Sequence, residues 1–98
     1  MTPWRTHGFC VPADHASMSG HFPGRPIVPG ALLLDEVAER IAGPAALRLR
    51  AVKFLQPVRH GEALELRWQM QAEGGCRFEI LRAGQTRPVL TGMLEIGL

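Results

Sequence analysis

The chain has 98 residues, 46% of them hydrophobic, and a formal net charge of +2 at pH 7. That length predicts one domain over residues 1–98, and that hydrophobic share supports a packed core rather than an intrinsically disordered segment. So slight a positive charge excludes the clustered basic face of a nucleic-acid-binding protein, and no apolar run is long enough to span a membrane.

Residues Met1 to His7 contain no apolar core of a secretory leader, so a cytoplasmic location is the expectation. Arg5 to Val11 reads as a short first strand. From Pro12 to Pro29 the chain has no periodicity, only turn formers and two histidines, His15 and His21. A loop that long in so small a domain is uncommon and usually functional. Three prolines and three glycines between Gly20 and Gly30 make it stiff at some positions and permissive at others, a shaped loop rather than a helix.

A helix is predicted from Gly30 to Ala42, stopped by Gly43 and Pro44. Its apolar residues, from Ala31 through Leu34 to Val37, Ala38 and Ile41, occupy more than one face, so the helix should be mostly enclosed. Strands follow. Leu47 and Leu49 alternate with Arg48 and Arg50, then the phase slips so that Val52 and Phe54 are the apolar pair, which predicts a bulge near Ala51. Arg59 to Gly61 forms a turn. Leu64 to Ala72 alternates cleanly, Gly74 and Gly75 suit a hairpin turn, and Cys76, Phe78 and Ile80 continue the pattern. A turn at Ala83 to Gln85 leads to a last strand, Val89 to Ile96. One helix and one antiparallel sheet can cover each other's apolar faces only if the sheet curls around the helix. Oligomerisation would help so short a chain, and a homodimer is expected.

Cys10 and Cys76 lie far apart with no framework spacing and are read as reduced thiols. His7, Cys10, His15 and His21 match no zinc signature, so no metal is expected. Trp68 and Met70 read as core.

Three residues stand out as a site. His21 lies in the stiff loop, and an imidazole, the side chain that ordinarily changes charge near neutral pH, suits a general base. Asp35 sits in the second turn of the helix among leucines, with Leu32, Ala38 and Glu39 on its face and Glu36 directed elsewhere. An acid there costs free energy unless it is paired or used, and an enclosed acid beside a second carboxylate suits a proton donor. Gly30 opens the helix, where first-turn amides lack intrahelical partners and could hold a developing oxyanion. A plain turn glycine fits that position equally well.

The segment His21-Phe-Pro-Gly-Arg-Pro-Ile-Val-Pro-Gly30, followed by Asp35, resembles the β-hydroxyacyl-acyl carrier protein dehydratases of the hotdog fold. The stretch from Val52 to Gly61 resembles the strand and turn that follow the helix in that family. The resemblance covers most of the chain from Gly20 to Trp68. It implies an α+β hotdog, a curved antiparallel five-stranded sheet wrapped around one central helix. It also implies a cofactor-free hydro-lyase that dehydrates (3R)-hydroxyacyl thioesters to trans-2-enoyl thioesters in fatty-acid or related biosynthesis. His21 would be the base and Asp35 the acid on the 3-hydroxyl. The Gly30 amide would polarise the thioester carbonyl, with Phe22 and Pro29 beside the substrate. The partner would be acyl carrier protein or a CoA thioester, with Arg25, Arg40, Arg48 or Arg59 meeting an acidic carrier, and each site would be shared between two subunits.

The chain departs from the family pattern in Glu39, where glutamine is common and where a second carboxylate could tune Asp35 or pair with Arg40. It also lacks tyrosine and is shorter than stand-alone dehydratases. An acyl thioesterase using Asp35 to activate water, or a catalytically silent acyl-binding hotdog subunit, are the alternative readings.

Overall fold

A computed structural model describes residues 3–12 and 27–97. In chain order these form β1 (Arg5–Phe9), α1 (Gly30–Ile41), β2 (Leu47–Phe54), β3 (Leu64–Met70), β4 (Gly75–Arg82) and β5 (Pro88–Ile96). The five strands make one antiparallel sheet in the order β1-β3-β4-β5-β2. The strand before the helix and the strand after it therefore lie at opposite edges, and the helix packs on the face between them. This is the expected hotdog arrangement.

Alternation fixes which side chains meet the helix. Leu66, Ile80 and Leu90 stand in register across β3, β4 and β5, as do Trp68, Phe78 and Gly92, and Met70, Cys76 and Leu94. Leu33 and Val37, one helical turn apart, are buried against this surface in a single cluster with Leu64, Leu66, Phe78, Ile80, Leu90 and Leu94. Trp68 and Met70 pack at its margin. The other sheet face is polar and carries Arg67 beside Glu65 and Arg50 beside Glu95, at 2.7 and 3.1 Å. Such exposed pairs add little stability.

The helix stops where expected. Gly43 adopts a left-handed backbone, φ 58°, and donates its amide to the Ala38 and Glu39 carbonyls. Pro44 then lacks the amide that another turn needs. The phase slip in β2 is a bulge between Leu49 and Ala51.

Two expectations are corrected. The first strand ends at Phe9 rather than Val11, because Val11 leaves the ladder to accept the Gly61 amide at 2.7 Å, while its side chain stays buried. The helix is not enclosed: Leu33 and Val37 alone on it are fully buried, and Ala31 and Asp35 are exposed. A single sheet covers one stripe of a helix, and the remaining apolar positions are left at the surface of one chain.

Candidate active site

Val28 and Pro29 lead into the helix and are held from the side. The Val28 amide donates to the Val58 carbonyl at 2.7 Å, and Ile27 bridges Arg59. Pro29 caps the helix at φ −59° and ψ 139° without a side-chain acceptor, so the first-turn amides depend on other partners.

Gly30 is not among the glycines with positive φ, so no turn geometry demands it. Its α-carbon faces the ring of Phe54 instead: a β-carbon placed there would stand 2.5 Å from the ring's Cε1. The glycine makes room for the close approach of an aromatic side chain, a reason that periodicity in the sequence does not carry. Gly30, Leu33, Phe54, Leu55 and Val58 line a largely apolar cavity of about 380 Å³. Ile27, Phe54 and Leu55 are each more than half exposed around it, an apolar rim open to solvent in one chain.

Asp35 faces elsewhere. It lines a smaller cleft, about 250 Å³, with Leu32, Glu36 and Glu39 from the helix and Phe9 to Pro12 from the chain after β1. Asp35 and Glu39 are exposed there, so the acid is not enclosed among leucines within one chain. Glu36, expected to point away, shares the cleft and is half-buried. Its carboxylate lies 3.7 Å from His7 Nε2, an ion pair when His7 is protonated. The β1 register against β3, which sets His7 opposite Leu66, turns this imidazole toward the helix. Cys10 lines the same cleft as an exposed free thiol. Among the described residues Glu39 has no ion-pair partner, and Arg40 does not reach it.

The structure therefore places Gly30 and Asp35 on two flanks of α1, the first toward the loop after β2 and the second toward β1. His21, Phe22 and Arg25 lie outside the described residues, so their placement relative to either cavity is not part of this geometry. Among the described residues no cluster of three or more His, Cys, Asp or Glu side chains forms a candidate metal site. No described helix is long and apolar enough to cross a membrane.

Residues 5–93 match a family model described as ApeI-like, ApeI dehydratase. Over 72 residues the chain is 33% identical to the 3-hydroxyacyl-(acyl-carrier-protein) dehydratase FabZ of Lactiplantibacillus plantarum, covering 61% of this chain and 49% of that one. Over 86 residues it is 35% identical to the FabZ of Chlamydia trachomatis serovar D, covering 69% of this chain and 56% of that one. The chain thus spans about half the length of the curated relatives it matches. Among solved structures it superposes on a chain of the dehydratase heterocomplex ApeI:P from Xenorhabdus doucetiae with a TM-score of 0.78 at 20% identity, covering 97% of this chain and 88% of that one. An uncharacterized protein from Erwinia carotovora subsp. atroseptica gives 0.74 at 26% identity, with coverages of 97% and 83%.

Proposed function

Because the chain belongs to the ApeI-like dehydratase family, we propose that it removes water from a (3R)-hydroxyacyl thioester, carried on acyl carrier protein, to give the trans-2-enoyl thioester. The imidazole of His21 takes the α-proton. The electron pair moves through the enolate to expel the 3-hydroxyl, which leaves as water with a proton from Asp35. An α-proton is a weak acid, so the step needs both a positioned base and a stabilised enolate oxygen. The amide of Gly30, at the positive end of a twelve-residue helix, suits that oxygen.

The observation that carries this reading is the division of Gly30 and Asp35 between two flanks of α1. One chain offers an apolar cavity with an oxyanion donor on one side and an acid in an open cleft on the other. A site uniting them needs two hotdog subunits, each supplying one half. Among the described residues strand β2 pairs only with β5, and its outer edge suits the addition of a strand from a second subunit. Exposed Ile27, Phe54 and Leu55 would be covered in such an assembly. Arg40, Arg48 and Arg59 are exposed and available to an acidic carrier.

The three carboxylates in one cleft, Asp35, Glu36 and Glu39, favour a second reading. Dehydration calls for one acid, and a chain carrying three there could instead complete a partner hotdog's site without turning over itself. The deciding experiment gives the purified chain a 3-hydroxyacyl carrier thioester and follows enoyl-thioester absorbance, beside its mass in solution. Turnover abolished in His21→Ala supports dehydration. Thioester binding without turnover supports the silent subunit, and release of free thiol supports a thioesterase.

A further inference from the structure

The rim of the Gly30 cavity hangs from a residue whose guanidinium bonds neither Gly30 nor Asp35. Arg82, the last residue of β4, directs its guanidinium into the loop between β2 and β3. Its Nε donates to Glu62 Oε1 at 3.0 Å, its Nη1 to Gln56 Oε1 at 2.8 Å, and its Nη2 to the Pro57 carbonyl. The other oxygen of Glu62 accepts the Arg59 amide at 2.8 Å. One planar fork thus ties three points of a single loop, and the acid it grips ties a fourth.

What that loop does is visible from its other side. Its Val58 carbonyl accepts the Val28 amide, and Arg59 bridges Ile27. Val28 and Pro29 run directly into Gly30, while Gln56, Pro57 and Val58 form the cavity wall facing that glycine. Arg82 therefore reaches the helix N-terminus through two short links, side chain to loop and loop to Val28. We infer that Arg82 is a positioning residue for the reaction proposed above, holding the loop of residues 55–62 so that the Val28–Gly30 segment presents its amide at a fixed place. The inference rests on the dehydration reading for its kinetic consequence, but the latch itself is a property of the fold.

Its basis is shape more than charge. A guanidinium supplies parallel donors in one plane, whereas an ammonium supplies a point charge on a flexible stem. Lysine at this position keeps the attraction to Glu62 but cannot also satisfy Gln56 and the Pro57 carbonyl. None of Arg82, Gln56, Pro57 and Glu62 lines the cleft of Asp35, so the acid half of the site should be untouched.

Hydrogen exchange of the whole chain, read by mass spectrometry alongside turnover, tests this. In Arg82→Gln and Arg82→Lys, exchange across residues 27–30 and 55–62 should rise about tenfold or more while the β4–β5 hairpin keeps its protection, since local opening need not be global. Turnover number should fall about tenfold with KM changed little, as expected when a donor aligned for the transition state is displaced. Gln56→Ala, which removes one point of the fork, should show a smaller change of the same kind and serves if Arg82→Gln does not fold. Unchanged exchange in Arg82→Gln, or wild-type exchange and turnover in Arg82→Lys, overturns the inference. A wild-type chain that forms no enoyl product sinks the dehydration reading alone, and the exchange results still decide the latch.

Discussion

Gly30 and Asp35 are five residues apart on one helix yet open into different cavities, one bounded by Phe54 and the other by Phe9 to Pro12. Five residues advance a helix by about 140° beyond a full turn, so the two positions cannot share a flank. Mixing inactive His21→Ala and Asp35→Asn proteins is expected to restore activity if a site draws His21 and Asp35 from different subunits. Each mixed dimer then holds one intact site, and random exchange gives about a quarter of wild-type turnover. Each variant alone should lose about 10² or more. Absence of restored turnover after verified subunit exchange would refute the shared site.

Gly30→Ala places a methyl group against the Phe54 ring. That ring is 55% exposed and can swing outward, so the expected loss of stability is only about 1 kcal/mol. Urea denaturation of Gly30→Ala, Phe54→Leu and the double variant should show coupling, with the second change relieving the first.

Gly92→Ala should be far worse. Its β-carbon would meet both the buried Phe78 ring and the Ala51 carbonyl, the latter at 2.6 Å, and neither can retreat. A loss of about 3 kcal/mol or more is expected from overpacking beside fixed backbone. A melting temperature within a few degrees of wild type, on the order of 4 °C, would contradict it.

The two thiols should behave differently. Burial pushes the Cys76 thiol up, only partly offset by a hydrogen bond from the Gln69 backbone, so it stays protonated and shielded near neutral pH. Cys10 is exposed in the Asp35 cleft. Titration with a thiol reagent should count one reactive group in the native protein and both after denaturation. Alkylation of Cys10 should also depress turnover by crowding the acid.

Glu62 links the loop to acid stability. Partial burial opposes its ionisation, but the Arg59 amide and then the hydrogen bond and charge of Arg82 outweigh this and hold the carboxyl below the ordinary glutamate range. A depressed folded-state value stabilises the protein above the unfolded-state value, and the contribution disappears as pH falls through the folded-state value. Glu62→Gln should therefore lose about 1 kcal/mol or less at neutral pH and show a flatter acid limb, read as urea midpoint against pH.

Much of the fold was legible because it rests on local signals. Gly43 and Pro44 end the helix, and the one-residue slip after Leu49 is the bulge. The hairpin turn near Gly74 lies slightly earlier than Gly74 and Gly75 suggest, because Glu73 itself takes a left-handed conformation, φ 59°. Covering was misjudged: the apolar residues around α1 imply enclosure, but nothing local says whether the cover comes from the same chain or another. The His7–Glu36 contact, the Phe54 ring over Gly30 and the Arg82 fork all escaped the sequence. Each joins residues twenty or more positions apart, and strand register, not spacing, brings them together.

The bulge in β2 is also a matter of counting. The extra residue at Arg50 reverses the alternation, so that Phe54 stands on the helix side in register with Leu90 instead of turning outward with Lys53 and Thr91. Deleting Arg50 would leave Phe54 opposite Leu90, but forcing the intact strand into unbroken pairing would set Lys53 opposite Leu90 and rotate every side chain beyond Arg50 by half a pleat. The aromatic lid would leave the glycine and an aliphatic or charged neighbour would take its place, so a single irregular peptide at the sheet margin decides what stands over the helix's first residue.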